Sequence, residues 1–162
     1  MDPDIVISYA EMTPKHQPLT RMQFEATIDL LRTAVRKRHY IVAWFVSNCE
    51  TYSQRSHYDD ELRKHIDVHI YGKCGARPCS KSKGICDDEL VKEDYKFVLA
   101  LENSVCNNHV TQKPYKAFRN LVIPVVLSRR IAQPILPNGS FIAADDFKSV
   151  NWRNTDTTST KM

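Results

Sequence analysis

Apolar residues along this chain alternate between two rhythms, one near the helical period of 3.6 and one continuous or near a period of 2, and the alternation predicts the elements. Residues 1–19, with Pro3, Pro14 and Pro18, read as an extended lead-in. From Thr20 to Arg38 the spacing of Phe24, Ile28, Leu31 and Val35 predicts a helix with Thr20 as its N-cap. Arg36-Lys37-Arg38 closes that helix, where cations suit the negative end of the dipole, and the triplet reads as a solvated helix end rather than a phosphate site. Ile41 to Val46 is an unbroken apolar run, as expected of a strand buried on both faces. A polar turn follows, then a helix over residues 53–65 in which Tyr58, Leu62 and Ile66 share a face. Residues 66–71 alternate as a strand does, and Gly72 ends it. Strand, helix, strand requires a right-handed crossover and a parallel sheet.

The same logic reads residues 72–93 as a polar loop, 95–101 as a third strand, 102–108 as a loop, 110–120 as a helix and 121–127 as a fourth strand. Residues 141–144 form at most a short fifth strand, and Asp145-Asp146 starts a helix that does not develop. Residues 150–162 are polar and predict a disordered tail. The fold class is α/β, in one domain.

With 162 residues, 42% apolar and 26% charged, and only 4 Gly and 8 Pro, the chain can build one substantial core and is neither collagen-like nor low in complexity. The net charge of +4 is spread along the sequence without a block of one sign, which argues against a nucleic-acid footprint. An anionic small ligand held by one or two placed cations fits that balance. No apolar run reaches the ~20 residues of a membrane-spanning helix, and the opening Met1 to Ile7 lacks the pattern of a signal peptide. Against a cytosolic reading stand the closely spaced Cys74, Cys79 and Cys86, which are disulfide candidates because their spacing is not that of a zinc knuckle. Asn138-Gly139-Ser140 is a glycosylation sequon that only a secretory chain would use. The compartment is left open by composition.

Ligands of parallel α/β sheets bind beyond the carboxyl ends of the strands. Two loops lie there, Ser47 to Arg55 and Leu101 to Lys113, each leading into a helix N-terminus suited to an anion. Each brings a cation, Arg55 in one and Lys113 in the other, and two fixed charges suit a diphosphate. No Walker loop, GxGxxG, GxSxG or HExxH motif is present. The acidic pairs Asp87-Asp88 and Asp145-Asp146 read as loop and helix-start residues rather than metal ligands.

Several separated motifs carry a more specific signal. Val42 to Cys49 followed by Arg55 and Glu61-Leu62, then Ile70 to Gly75, Asp94 to Phe97, Leu101 to Ser104, Val110 to Lys113, Ile123 to Val126, and Ser140 to Ile142 with Asp146 to Ser149 together resemble the donor-binding domain of α1,3-fucosyltransferases, in order and spacing, over roughly residues 40–149. The resemblance implies the C-terminal half of a GT-B glycosyltransferase, with a Rossmann-like parallel sheet and flanking helices spanning residues 20–149 and the helix 20–38 lying between domains. It implies GDP-fucose as donor and a glycan or glycoprotein as acceptor, with inverting α1,3 transfer to GlcNAc. It also implies no required cofactor, no essential divalent metal, no nucleic acid and a lumenal Golgi location. Donor-binding positions map to Arg55, Asn103, His109, Gln112 and Lys113. His109 stands where the family has tyrosine, Gln112 where it has glutamate, and Leu101 where it has phenylalanine. No catalytic residue is assigned here, because the family's general base, acceptor site and membrane anchor belong to an N-terminal domain that this sequence lacks. Two other readings stand beside this one: an inactive nucleotide-sugar-binding relic, and a cysteine-stapled or zinc-bound interaction domain.

Overall fold

The computed structural model describes residues 19–77, 79 and 88–147; the expected lead-in over 1–19, apart from Leu19, and the tail over 150–162 lie outside them. The elements are α1 (Arg21–Lys37), β1 (Tyr40–Phe45), α2 (Arg55–Leu62), β2 (Val68–Tyr71), α3 (Asp88–Asp94), β3 (Tyr95–Leu99), α4 (Gln112–Arg119), β4 (Ile123–Val126), α5 (Arg129–Ala132) and β5 (Ile142–Ala143). A 3-10 turn over Ala144–Asp146 follows β5. All strand pairings are parallel, in the order β2-β1-β3-β4-β5, with Val42 opposite both Val68 and Phe97, and Val125 opposite Ile142. The parallel α/β sheet is the one expected from the strand–helix–strand rhythm, and it has the Rossmann-like architecture that the resemblance implied.

The continuous apolar strands are explained by cover on both faces of the sheet. On one face Val42, Trp44, Leu99 and Val125 pack with Tyr58 and Leu62 of α2. On the other, Ala100, Val126 and Phe141 pack with Tyr115 and Phe118 of α4 and with Ala132 of α5. Toward β2, the buried Tyr95 and Tyr71 hydroxyls lie 2.7 Å apart, and His69 Nδ1 lies 2.6 Å from Tyr95 Oη while its Nε2 meets Asp67 at 2.9 Å. Each polar atom buried there has a partner, as burial demands. α2 leaves part of its face open, an apolar cleft of about 300 Å³ lined by Val42, Phe97, Val125 and Ile142, one from each of four strands.

Two local expectations are corrected. The segment 72–93 is not all loop, since its end forms α3. α1 forms with a capping box between Thr20 and Gln23, yet none of its residues is buried, and Met22, Phe24 and Leu30 are exposed. Along its apolar stripe Ile28, Leu31 and Val35 are half-buried, while Phe24 is exposed. The triplet Arg36-Lys37-Arg38 is not wholly a solvated helix end. Arg38 is buried and donates to the carbonyls of Lys92 (3.1 Å), Leu121 (2.7 Å) and Asn120 (3.1 Å). It thereby ties the end of α1 to α3 and to the turn between α4 and β4. Burial pulls its guanidinium below the ordinary arginine value.

Arg38→Met keeps the stem and removes all three donors, leaving buried carbonyls unsatisfied. The expected loss is about 3 kcal/mol of folding stability, measured as a lower urea midpoint with an unchanged slope.

Candidate functional site

The chain leaves β1 and β3 side by side at the carboxyl edge of the sheet, and side chains stitch the two exit loops together. Arg55, the first residue of α2, turns back under its loop and donates through Nη1 to Leu101 O (2.7 Å) and through Nη2 to Asn48 O (2.7 Å). Ser53 donates through Oγ to Glu102 O (2.7 Å) and through its backbone N to Asn103 O (3.1 Å). Three consecutive carbonyls, 101 to 103, are therefore held from the neighbouring loop. Arg55 is only 3% exposed and stacks its guanidinium 5.6 Å from the Trp44 ring centre. Its Nε has no partner among the described residues. Burial lowers its pKa from the ordinary value, and the Glu102 carboxylate works against that.

Lys113, in the first turn of α4, donates to the same Leu101 oxygen at 2.9 Å and pairs with Glu102 Oε2. The other Glu102 oxygen accepts from Thr111 N (2.9 Å) and Thr111 Oγ1 (2.7 Å). Thr111 is the N-cap residue of α4, and its own hydroxyl makes no cap bond, so Glu102 replaces the usual arrangement. An ammonium has three N–H donors. Two are used, and with the side chain 29% exposed the third is open to a ligand. Burial is the main influence lowering the Lys113 pKa; Glu102 opposes it, and the charge of Arg55 adds to it. The site holds two cations around one carboxylate, which leaves an excess positive charge at the sheet edge.

Both cations expected from the sequence thus come together, though in different roles: Arg55 is buried as a strut, and Lys113 faces outward. Asn103 and Gln112 are exposed beside them, Gln112 at the start of α4. His109 follows the left-handed Asn108 (φ 56°), and its ring lines a cavity of about 20 Å³ with Glu102, Ser104 and Ser128 at the carboxyl ends of β3 and β4. That volume admits a water molecule and no more. A third loop joins from β4, where Arg130 donates to Asn107 Oδ1 at 2.8 Å. Asp145 accepts from the Arg129 backbone at 2.9 Å and Asp146 pairs with the Arg129 side chain, so this acidic pair fastens α5. Sequence reasoning placed Thr111 near the cap of α4, as found, but missed the roles of Ser53 and Glu102; the signal available was Glu102 standing in a matched motif directly after a strand.

The cysteines close the same edge. Cys49 in the first loop is bonded to Cys74 (Cα–Cα 5.4 Å). Gly72, at φ +101°, and Gly75 let the chain after β2 fold back there, since a Cβ on Gly75 would meet Ile70 O at 2.2 Å. Cys79 is also disulfide-bonded, Cys86 lies outside the described residues, and Cys106 is a half-buried free thiol. With Cys74 and Cys79 both spent on sulfur, the zinc-bound reading of this loop is withdrawn. Among the described residues no three His, Cys, Asp or Glu side chains are grouped to hold a metal ion, and no helix is long and apolar enough to cross a membrane.

One turn into α2, Asp59 is 3% exposed and its Oδ1 has no partner among the described residues. Arg63 Nη1 stands 3.8 Å from its other oxygen. Burial pushes the Asp59 carboxyl up to about 6, with Arg63 opposing.

Residues 35–153 match the family model described as glycosyltransferase family 10 (fucosyltransferase) C-term. The chain is 45% identical over 109 residues to alpha-(1,3)-fucosyltransferase fut-1 of Caenorhabditis elegans, covering 67% of this chain and 25% of that protein. It is 42% identical over 111 residues to glycoprotein 3-alpha-L-fucosyltransferase A of Drosophila melanogaster, covering 67% and 22%. Against alpha-(1,3)-fucosyltransferase 4 of Rattus norvegicus it is 33% identical over 151 residues, covering 91% and 33%. It therefore spans a third or less of these relatives. The crystal structure of an alpha1,3-fucosyltransferase superposes with a TM-score of 0.58 at 24% identity, over 73% of this chain and 32% of that one, a likeness of fold.

Two outcomes are expected of the isolated protein. Because Asp59 binds its proton more tightly when folded, stability should fall as pH rises from about 4 to about 6 and level off above. Asp59→Asn should remove that slope and add on the order of 2 kcal/mol at neutral pH, read from urea titrations across the range. Reduction should act separately. The Cys49–Cys74 bond spans 25 residues of sequence, and its loss should cost about 3 kcal/mol by loop-closure entropy, measured with a Cys49→Ser, Cys74→Ser pair.

Proposed function

Because this chain belongs to glycosyltransferase family 10, the fucosyltransferases, through their C-terminal domain, we propose that it is the donor half of an α1,3-fucosyltransferase and holds GDP-fucose at the carboxyl edge of its sheet. The observation that carries this reading is the sharing of Leu101 O by Arg55 Nη1 and Lys113 Nζ. One buried oxygen sets two positive charges side by side, brought from different crossovers, in front of a helix N-terminus.

The chemistry asked of such a site is the departure of a diphosphate from the anomeric carbon. Charge builds on the diphosphate as the sugar–oxygen bond breaks, and preorganised cations stabilise it most at that moment. In this reading the unused N–H of Lys113 donates to a phosphate oxygen. Arg55 keeps its hydrogen bonds to the loops and contributes through its field, strengthened by its dry surroundings. The cations stand in for a divalent ion, so no metal is required. Gln112, one residue before Lys113, offers its side-chain carbonyl to a ribose hydroxyl as a neutral acceptor, and Asn103 and His109 border the same ligand. Inversion calls for a general base on the face opposite the leaving group; that base and the GlcNAc-bearing acceptor come from a separate acceptor domain. The disulfide-bonded cysteines, Cys49, Cys74 and Cys79, suit an oxidising lumen, which supports a Golgi location.

Titration calorimetry should show GDP binding that exceeds UDP binding and is insensitive to chelators. Lys113→Met should weaken GDP by about 30-fold, the equivalent of ~2 kcal/mol for a charged hydrogen bond. An equal response to GDP and UDP would overturn the reading.

A further inference from the structure

We infer that Asn138 carries an N-linked glycan, and that the fold sets this glycan at the pole of the domain opposite the ligand site. Asn138-Gly139-Ser140 is the only N-x-S/T sequon in the chain. It sits in the connection from α5 to β5, where Pro137, Asn138 and Gly139 are all exposed. Gly139 takes φ +75° and has nothing within 4 Å of where a Cβ would stand. The turn is self-contained, with Ser140 Oγ and Ser140 N both donating to Pro137 O at 2.7 and 3.2 Å. Both hydrogen bonds of this turn stay within it, so extending it for a glycosylating enzyme disturbs little beyond the turn itself.

Topology fixes the direction. Every strand is parallel, so the segment entering β5 lies at the amino ends of the strands, while Leu101, Glu102 and Lys113 follow the carboxyl ends. β5 is also the last strand of the sheet as described. A bulky, hydrated sugar is tolerated there without approaching either the cations or the loops that hold them. The inference rests on the lumenal reading above, and the Cys49–Cys74 bond is its second support, because such a bond forms where N-glycosylation also occurs.

The modification balances simply. The Asn138 side-chain amide nitrogen attacks the anomeric carbon of an oligosaccharide linked to a polyisoprenyl diphosphate. A nitrogen–carbon bond forms, the carbon–oxygen bond to phosphate breaks, and the lipid diphosphate leaves with the electron pair. The amide proton passes to a base of the oligosaccharide transferase.

The test is secretion of residues 1–162 from animal cells behind a cleavable signal sequence, so that entry to the lumen is supplied. The expected result is a species of raised mass that peptide N-glycosidase collapses, converting Asn138 to aspartate. Asn138→Gln and Ser140→Ala should each abolish the shift, and Ser140→Thr should restore or increase it. Secreted protein with its signal removed and Asn138 unmodified would overturn the inference. GDP affinity should be the same for the glycosylated and enzymatically trimmed forms; weaker binding by the glycosylated form would overturn the opposite-pole placement. Failure of both forms to bind GDP would count against the donor-site reading and leave the glycan result standing.

Discussion

A single backbone oxygen, that of Leu101, organises the carboxyl edge of this sheet. It lies where β3 ends, in a residue fully buried, and it receives one hydrogen bond from Arg55 and another from Lys113. A buried carbonyl must be satisfied, and here the need is met by charged donors from two different helices. Charged hydrogen bonds are the stronger kind, and here they tie the two exit loops to each other. Ser53 repeats the device on the next two carbonyls. The like charges tolerate this closeness because Glu102 stands beside them, paired to Lys113 and felt by Arg55.

The remaining architecture serves that edge. Strands covered on both faces supply rigidity, and the crossovers bring the first turns of α2 and α4 to the same carbonyl of Leu101. Arg38 performs at the amino end what Arg55 performs at the carboxyl end: a guanidinium inside the protein, spent on carbonyls of the adjoining segments. Both arginines exploit a planar donor fork that a lysine lacks. The Cys49–Cys74 bond adds a covalent limit on how far the first loop can move from the end of β2.

Much of this was legible in the residues. The runs Ile41 to Val46, Tyr95 to Leu101 and Leu121 to Leu127 announced buried parallel strands, and the observed ends differ from them by one or two residues. Arg55 and Lys113 were identified as a pair because loops after parallel strands converge. What pattern reading could not supply was depth. Arg38 looks like any helix-end cation, and Arg55 like a surface residue, until the chain is folded over them. α3 was missed because its first turn, Asp88-Glu89-Leu90, reads as polar loop, and α5 because four residues carry no period. The apolar stripe of α1 is covered only in part, Ile28, Leu31 and Val35 being half-buried and Phe24 exposed, since a period of 3.6 specifies a face without specifying what will cover it.

Glu102 has a consequence for ligand choice. Its carboxylate is tethered within reach of the only outward-facing cation of the pair, so it behaves as an internal competitor at an effective concentration far above that of free anions in solution. Chloride, acetate or a lone carboxylate brings no more charge than the resident group and has no reason to displace it. A ligand with several charges on adjacent oxygens can take the open donor of Lys113 and draw on Arg55 at once, outbidding the tether without evicting it. On the donor-site reading, the resident carboxylate offsets part of the pair's charge, so a ligand with several charges gains more at this edge than a singly charged one.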